Sequence, residues 1–560
     1  MAANIPLQHD ISRSLSNRRL CPQVLDAQLQ ECDQAMTSLK SKRNALALIN
    51  RLPPELLALI FHCCQDILDS TTTHRERYYR STSQTTSPCQ WTVIFRICHH
   101  WRSIALDTAT LWNTIQLDNI STATRETFLA RSKTAPLQLD AVGFDDQRDT
   151  ELLQIALPLL SRAHSIEFTL GEAAYATTST LGLFPPSLPN LKHLSLYSRS
   201  RKRQSDGQLP IFLTQCSTPA LKTLRMAYYT LPWTVVRLPD TLTELMIDSP
   251  PVGVTVLELI GAIRDLQDLQ DLTLINVFPP VLAYEEHDDG SVIIPEATTR
   301  LEFNRLRTLC IEADVIPCVH FLDHLSALPP TGTTLDLTVG QEREYTTALS
   351  RLGSMLPAVD VDSMTLDNSG ILFYRSASKS IPSDVTSHGP AAGSRIHLTF
   401  PPDPHDEIIS AANALASNAL TSINHLSFHS VRIHHSLKTL FEQLPSLKTL
   451  TFKTYPEGIG SAFEDALSPS SSRTLKLKSL TFDAVSFADC QNPDGCPDFV
   501  LHLPSLLAAG CEIKRIVIRE CTGVQSVDVV ELRRFVEEME YVRDDESAGW
   551  EDGENAEGAA

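Results

Sequence analysis

The amino-acid sequence predicts an α/β fold in two parts. A small helical module lies near the N-terminus, and a long solenoid follows, a curved parallel sheet with helical or irregular segments outside it. Three observations predict this. Apolar residues from Leu52 to Cys63 recur at helical spacing. From about residue 137 onward, LxxLxL-like runs return every ~20 to 37 residues. Hydrophobic residues make up 42% and charged residues 20% of the 560, a composition that supports a sizeable core.

The elements follow in order. Val24, Leu25, Leu29, Cys32, Met36, Leu39, Leu46 and Ile49 fall at roughly helical spacing, with Lys40, Lys42 and Arg43 between them. The segment 1–48 is therefore expected to hold an amphipathic helix packed on the next module. A short coiled coil is the alternative, although sustained heptads call for more length. Pro53 and Pro54 suit the first turn of a second helix, where a missing N–H leaves no bond unmade. Leu52, Leu56, Leu59, Ile60 and Cys63 then repeat at i, i+3 and i+4 spacing, and Leu57 and Phe61 widen the stripe. A Ser- and Thr-rich stretch at about 69–90 reads as an exposed polar insert. Ile94, Ile97, Cys98, Trp101, Ile104 and Ala105 share one face of a further helix. Leu111 and Trp112 close the unit, and Ile115 and Leu117 begin to alternate like a strand.

In the second part, 118–543, the clear strand copies are Leu191-Leu194-Leu196, Leu221-Leu224-Met226, Leu242-Leu245-Ile247, Leu269-Leu272-Leu274, Leu306-Leu309-Ile311, Leu447-Leu450-Phe452 and Leu477-Leu480-Phe482. Weaker copies centre on Ile166-Phe168, Leu335-Leu337, Met364-Leu366, Ile396-Leu398, Leu426-Phe428 and Ile516-Ile518. Their spacing sits at the long edge of leucine-rich repeats. One such unit cannot bury its own apolar face, so consecutive units must stack. Residues between the apolar ones point to the opposite face of the sheet. Tyr197, Arg225, Glu244, His425, His429 and Lys453 are candidates there for contact with a target, and a solvated face needing no ligand is the equally available alternative. Segments 256–263, 319–328 and 408–420 read as helical, and 527–542 as a final amphipathic helix. Residues 544–560 are rich in Asp, Glu, Gly and Ala and read as a disordered tail.

The run Ile49-Asn50-Arg51-Leu52-Pro53-Pro54-Glu55-Leu56-Leu57-Ala58-Leu59-Ile60-Phe61, followed by Trp91, Val93, Ile97, Cys98, Trp101 and then Leu111-Trp112, resembles an F-box. The whole layout resembles fungal F-box proteins, with an N-terminal helix, an F-box at 49–117 and a divergent leucine-rich-repeat-like body. The resemblance implies docking onto the Skp-type adaptor of a cullin–RING ubiquitin ligase. By position it assigns that contact to Leu52, Pro53, Leu56, Ile60 and Phe61 of the first helix, and to Val93, Ile97 and Trp101 of the later one. On the residues alone, the same side chains could form the module's own core. The division expected is Trp101 and Ile97 inside, with Leu52, Pro53 and Phe61 at the surface. The resemblance also implies an unidentified protein target on the repeats and no catalysis or cofactor of the chain's own. A ligase-independent repeat scaffold, with the helical module as a cap, is the rival expectation.

Composition narrows the alternatives. A net charge of −20 disfavours a nucleic-acid surface. No apolar stretch reaches bilayer length and the N-terminus lacks a signal-peptide core, so a cytoplasmic or nuclear place is expected, with no membrane partner. The 13 cysteines include no CxxC pair and predict neither a disulfide framework nor a zinc motif. His320 and His324 sit at i, i+4 but lack the Glu of a zinc-protease helix, and the adjacent pairs His99-His100 and His434-His435 diverge rather than converge. Cys490 and Cys496 read as loop thiols, and the basic run Arg199, Arg201, Lys202 and Arg203 as an exposed loop. Nucleophile-elbow and phosphate-loop motifs are absent.

Overall fold

The computed structural model describes residues 22–69, 90–118, 120–143, 145–171, 184–198, 216–229, 237–280, 292–330, 332–340, 345–367, 369–375, 394–401, 405–416, 420–429, 437–453, 477–485, 513–524 and 526–542, with a few isolated positions between them. The polar insert, the basic run near Arg201, His434, His435, Cys490, Cys496 and the acidic tail lie outside the described residues. The chain divides into two units, residues 1–142 with 158–165, and residues 143–157 with 166–560.

The first unit begins with α1 (Pro22–Ala45), none of whose residues is buried. The expectation that this helix packs on the next module is thus not met. Leu29, Met36 and Leu39 are each more than half exposed. A 3-10 turn (Leu48–Arg51) leads into α2 (Pro54–Asp69), with Pro54 at the first helical position as its missing N–H allows. The single further helix predicted over 94–105 is instead two pieces, a 3-10 helix (Gln90–Arg96) and α3 (His99–Asp107). Cys98 breaks them apart: its backbone is extended, and its Sγ accepts from the Trp101 N–H at 3.5 Å as the cap of α3. Beyond a 3-10 turn (Ala109–Trp112) come β1 (Thr114–Gln116), α4 (Thr122–Ser132) and β2 (Leu137–Val142). Strands β1 and β2 pair in parallel.

This unit's core is aromatic. Trp112 stacks flat on Phe95 at 5.5 Å between centroids and meets Trp91 and Phe128 edge-on at 5.3 and 4.9 Å. Its indole N–H donates to the Ala105 carbonyl at 2.8 Å, and the Arg131 guanidinium lies 4.4 Å from its ring. Such pairs contribute about 0.5–1.5 kcal/mol each beyond the area they bury.

The second unit holds α5 (Asp146–Ala156), most of β3 (Ala163–Leu170), and the strands β4 (His193–Ser198), β5 (Thr223–Ala227), β6 (Glu244–Asp248), β7 (Asp271–Ile275), β8 (Thr308–Asp314) and β9 (Thr333–Thr338). Strands β4 to β9 form a parallel ladder in chain order. In it Leu194, Leu224, Leu245, Leu272 and Leu309 occupy one register row, all fully buried. That is the core the LxxLxL spacing predicts. Helices α6 (Val256–Ile263), α7 (Val315–Asp323), α8 (Thr346–Met355) and α9 (His405–Ala416) lie between strands, α7 and α9 starting a few residues earlier than the periodicity indicates.

After β9 the order reverses locally. The strands β10 (Ser363–Asp367), β11 (Gly370–Tyr374) and β12 (Arg395–Thr399) follow, with β12 pairing β9 and β10 pairing the next strand, β13 (His425–His429), both in parallel. Strand β11 runs antiparallel between β10 and β12. Its apolar run carries no LxxLxL spacing, so the repeat pattern does not predict it. The tight turn before it is held by Asp367, whose Oδ1 accepts from the Ser369 N–H at 2.8 Å and its hydroxyl at 2.6 Å.

The parallel ladder resumes through β13, β14 (Thr449–Lys453), β15 (Ser479–Asp483), β16 (Arg515–Arg519) and β17 (Glu538–Val542), with the short helices α10 (Lys438–Glu442) and α11 (Ser526–Leu532) between strands. Phe428, Phe452 and Phe482 share a register row and stack at 5.4 and 5.6 Å. The final helix predicted over 527–542 is a correction: only Ser526–Leu532 is helical, a turn follows, and Glu538–Val542 is the strand β17. Met539 and Tyr541 alternate with Glu538 and Glu540, and Glu540 accepts from Arg515 at 3.0 Å and from Arg519 at 2.6 Å, a cross-strand pairing a helix would lose.

One local conformation recurs. The residue following each of β5, β6, β7, β15 and β16 has positive φ: Tyr228 (62°), Ser249 (42°), Asn276 (48°), Ala484 (55°) and Glu520 (51°). Each donates its N–H to the last or near-last carbonyl of the next strand, for example Ser249 to Ile275 at 2.7 Å and Ala484 to Arg519 at 2.9 Å. The repetition at equivalent positions shows that the units share a turn as well as a strand.

Candidate functional site

Two surfaces are candidates for a functional site, one in each unit. In the first unit, α2 is apolar on two sides. Leu57, Phe61 and Gln65, four residues apart, are buried and form its inner stripe. Leu56, Leu59, Cys63 and Ile67 recur at i, i+3, i+7 and i+11, and all are exposed, Leu59 at 60%. At 100° per residue these positions make a second stripe, well rotated from the first. Val93 and Ile97 are also exposed, each at 52%.

The placement of individual residues differs from the division the sequence led one to expect. Phe61 is fully buried, with its ring 5.1 Å from that of Trp101. It falls on the inner stripe because it lies four residues beyond Leu57. Ile97 is exposed because the Cys98 break lifts it out of the helical face that carries Ile104 and Ala105. Trp101 is half-buried and donates its indole N–H to Asn50 Oδ1 at 2.6 Å, while the Asn50 side-chain N–H₂ donates to the Asn44 carbonyl at 2.7 Å. Leu52 and Ile60 are half-buried, and Pro53, Leu56 and Val93 are exposed. Leu59 and Ile67 lie outside the expected docking set, although the i, i+3, i+7, i+11 spacing that carries them is written in the sequence. On the rim of the module, His62 Nε2 lies 2.8 Å from the Thr110 hydroxyl, and partial burial lowers its pKa against the opposing effect of Asp66.

In the second unit the outward rows of the ladder bring the six candidate residues together as two groups of three. Tyr197, Arg225 and Glu244 lie on β4, β5 and β6, and all are half-buried. Arg225 Nε donates to Glu244 Oε1 at 2.6 Å, while the other oxygen of Glu244 accepts from Thr223. Burial raises the Tyr197 pKa to about 12, and Glu167 adds to the shift. This phenol stays protonated at pH 7, and the side chain of Ser195 is hydrogen-bonded to it. His425, His429 and Lys453 lie on β13 and β14, in register His425 with Thr449 and His429 with Lys453. Burial lowers both histidine pKa values, and the Lys453 ammonium acts in the same direction. Both imidazoles are therefore neutral at pH 7, His429 sharing a hydrogen bond with the Ser427 hydroxyl at 2.9 Å. The strands β7 to β12 separate the two groups.

Thr223, Ser427 and Thr451, outward by alternation, are nonetheless buried. His320 and His324 are buried on and just beyond α7. Their Nδ1 atoms are engaged by the Tyr284 hydroxyl at 3.1 Å and the Thr299 carbonyl at 2.7 Å. Among the described residues, no three His, Cys, Asp or Glu side chains are grouped to hold a metal ion. No helix among them is long and apolar enough to cross a membrane. The chain matches no protein-family model and no curated protein.

Proposed function

We propose that this chain is a substrate-receptor subunit of a cullin–RING ubiquitin ligase. Its helical module, an F-box, docks a Skp-type adaptor, and its second unit, a leucine-rich-repeat-like solenoid, holds a protein target on the outward rows of the sheet. The chain works by proximity. It raises the effective concentration of the target at another subunit's ubiquitin-charged enzyme and performs no bond chemistry itself.

The observation that carries this reading is the second apolar stripe of α2. A module that already owns a packed aromatic core leaves Leu56 and Leu59 exposed, and exposed apolar rows of this kind mark partner sites. The docking residues are accordingly Leu56 and Leu59 with Val93 and Ile97, rimmed by Leu52, Pro53 and Ile60. Phe61 and Trp101 act from beneath by fixing the angle of α2. The solenoid reading rests on the shared strand, turn and in-register rows of successive units.

The test is co-purification of the full chain with a recombinant Skp-type adaptor. Wild type should retain it, and Leu56→Asp/Leu59→Asp/Ile97→Asp should lose it with an unchanged far-UV spectrum, while Lys453→Ala should retain it. Absence of wild-type binding overturns the ligase assignment and leaves the protein-binding scaffold. Binding that survives the triple substitution overturns the docking face.

A further inference from the structure

The helix α1 carries an apolar seam that, among the described residues, nothing in its own unit covers. Leu25, Leu29, Cys32, Met36 and Leu39 alternate at intervals of four and three, the seam spacing of a two-stranded coiled coil, and all five are exposed. The helix spans about 36 Å at 1.5 Å per residue. Its charges are divided by halves: Asp26, Glu31 and Asp33 precede the midpoint, and Lys40, Lys42 and Arg43 follow it.

We infer that α1 is a self-association element, pairing antiparallel with α1 of a second copy of this chain. Charge selects both the occupant and its direction. A parallel pair would set acidic half against acidic half and would face Arg43 with Arg43 of the second copy on the seam. An antiparallel pair sets each acidic half against a basic one. Aligning the seam residues then places Leu29 opposite Leu39 of the second copy and Cys32 opposite its Met36. Arg43 lies opposite the second copy's Leu25, within reach of the neighbouring Asp26, and Lys40 flanks the same carboxylate. Near the twofold axis, Asp33 meets its own copy, a like-charge contact that holds the association weak. The seam is independent of the α2 stripe, so this inference stands apart from the ubiquitin reading. A ligase subunit that dimerises in this way would present two target-binding faces in one assembly.

Sedimentation equilibrium of the full chain over a range of concentrations tests it. A reversible dimer is expected, weakened by salt in proportion to its charge pairing. Leu29→Asp/Leu39→Asp should leave a monomer. Asp33→Asn relieves the contact at the axis and should tighten the dimer, by about tenfold for a 1.4 kcal/mol gain. A chain monomeric at every concentration overturns the inference, and so does a dimer indifferent to Leu29→Asp/Leu39→Asp. A dimer that Asp33→Asn leaves unchanged, and that oxidation joins through Cys32 to Cys32, is parallel and overturns the antiparallel assignment.

Discussion

Trp101 and Asn50, 51 positions apart in the chain, are joined by an indole N–H to amide oxygen hydrogen bond of 2.6 Å. Asn50 also donates to the carbonyl of Asn44, so one side chain ties the end of α1, the turn that follows it and α3 together. Asn50→Ala removes both bonds and strands the Trp101 N–H in a half-buried place. The expected loss is about 1–3 kcal/mol in the helical module. Thermal unfolding followed by tryptophan fluorescence measures it.

The two stripes of α2 make opposite predictions. Phe61→Ala opens a cavity beneath Trp101 and should cost about 3–5 kcal/mol. Leu59→Ala, on the exposed stripe, should move stability by no more than about 0.5 kcal/mol. Denaturant titration of each variant separates them, and equal losses would contradict the two-sided helix.

Ala484 holds a left-handed backbone with its methyl group exposed, so it meets the strain of that region without packing in return. Ala484→Gly should stabilise the second unit by about 0.5–1 kcal/mol, the relief of strain exceeding the added freedom of the unfolded chain. A rise in the unfolding midpoint is the expected result.

At Gly353 the backbone of α8 lies directly against that of α9. A methyl group built there would fall on the carbonyl oxygen of Leu415. Backbone cannot give way as a side-chain tip can, so Gly353→Ala should cost about 1–3 kcal/mol by forcing the helices apart. Chemical denaturation of the variant provides the measurement.

His320 sets a pH dependence. Burial, reinforced by His324, lowers its pKa from 6.5 to about 4. The folded chain therefore holds this imidazole neutral where the unfolded chain takes up a proton. Stability is full above pH 6.5 and falls as pH drops from 6.5 toward 4. His425 and His429, also lowered, contribute with the same sign. His320→Leu should flatten part of that slope in unfolding curves collected between pH 4 and 7.

Period and spacing alone determined a good deal of this protein. The strands at Leu194, Leu245, Leu272 and Phe452, the helix Val256–Ile263 and the aromatic closure at Trp112 are all legible, because burying one face forces apolar residues onto a fixed period. What period cannot report is which of two apolar faces turns inward, and so Phe61 and Ile97 exchanged places between expectation and structure. That choice rested on a cap at Cys98 and on the fit of Phe61 against Trp101, contacts between residues far apart in the chain. The same holds for β11 and β17. Their local patterns are ambiguous, and only the hydrogen bonds of neighbouring strands, with Arg515 and Arg519 of β16 diagonal to Glu540, decided them. The apolar seam of α1 is written in the sequence as well, but only the folded unit decides that it stays exposed among the described residues.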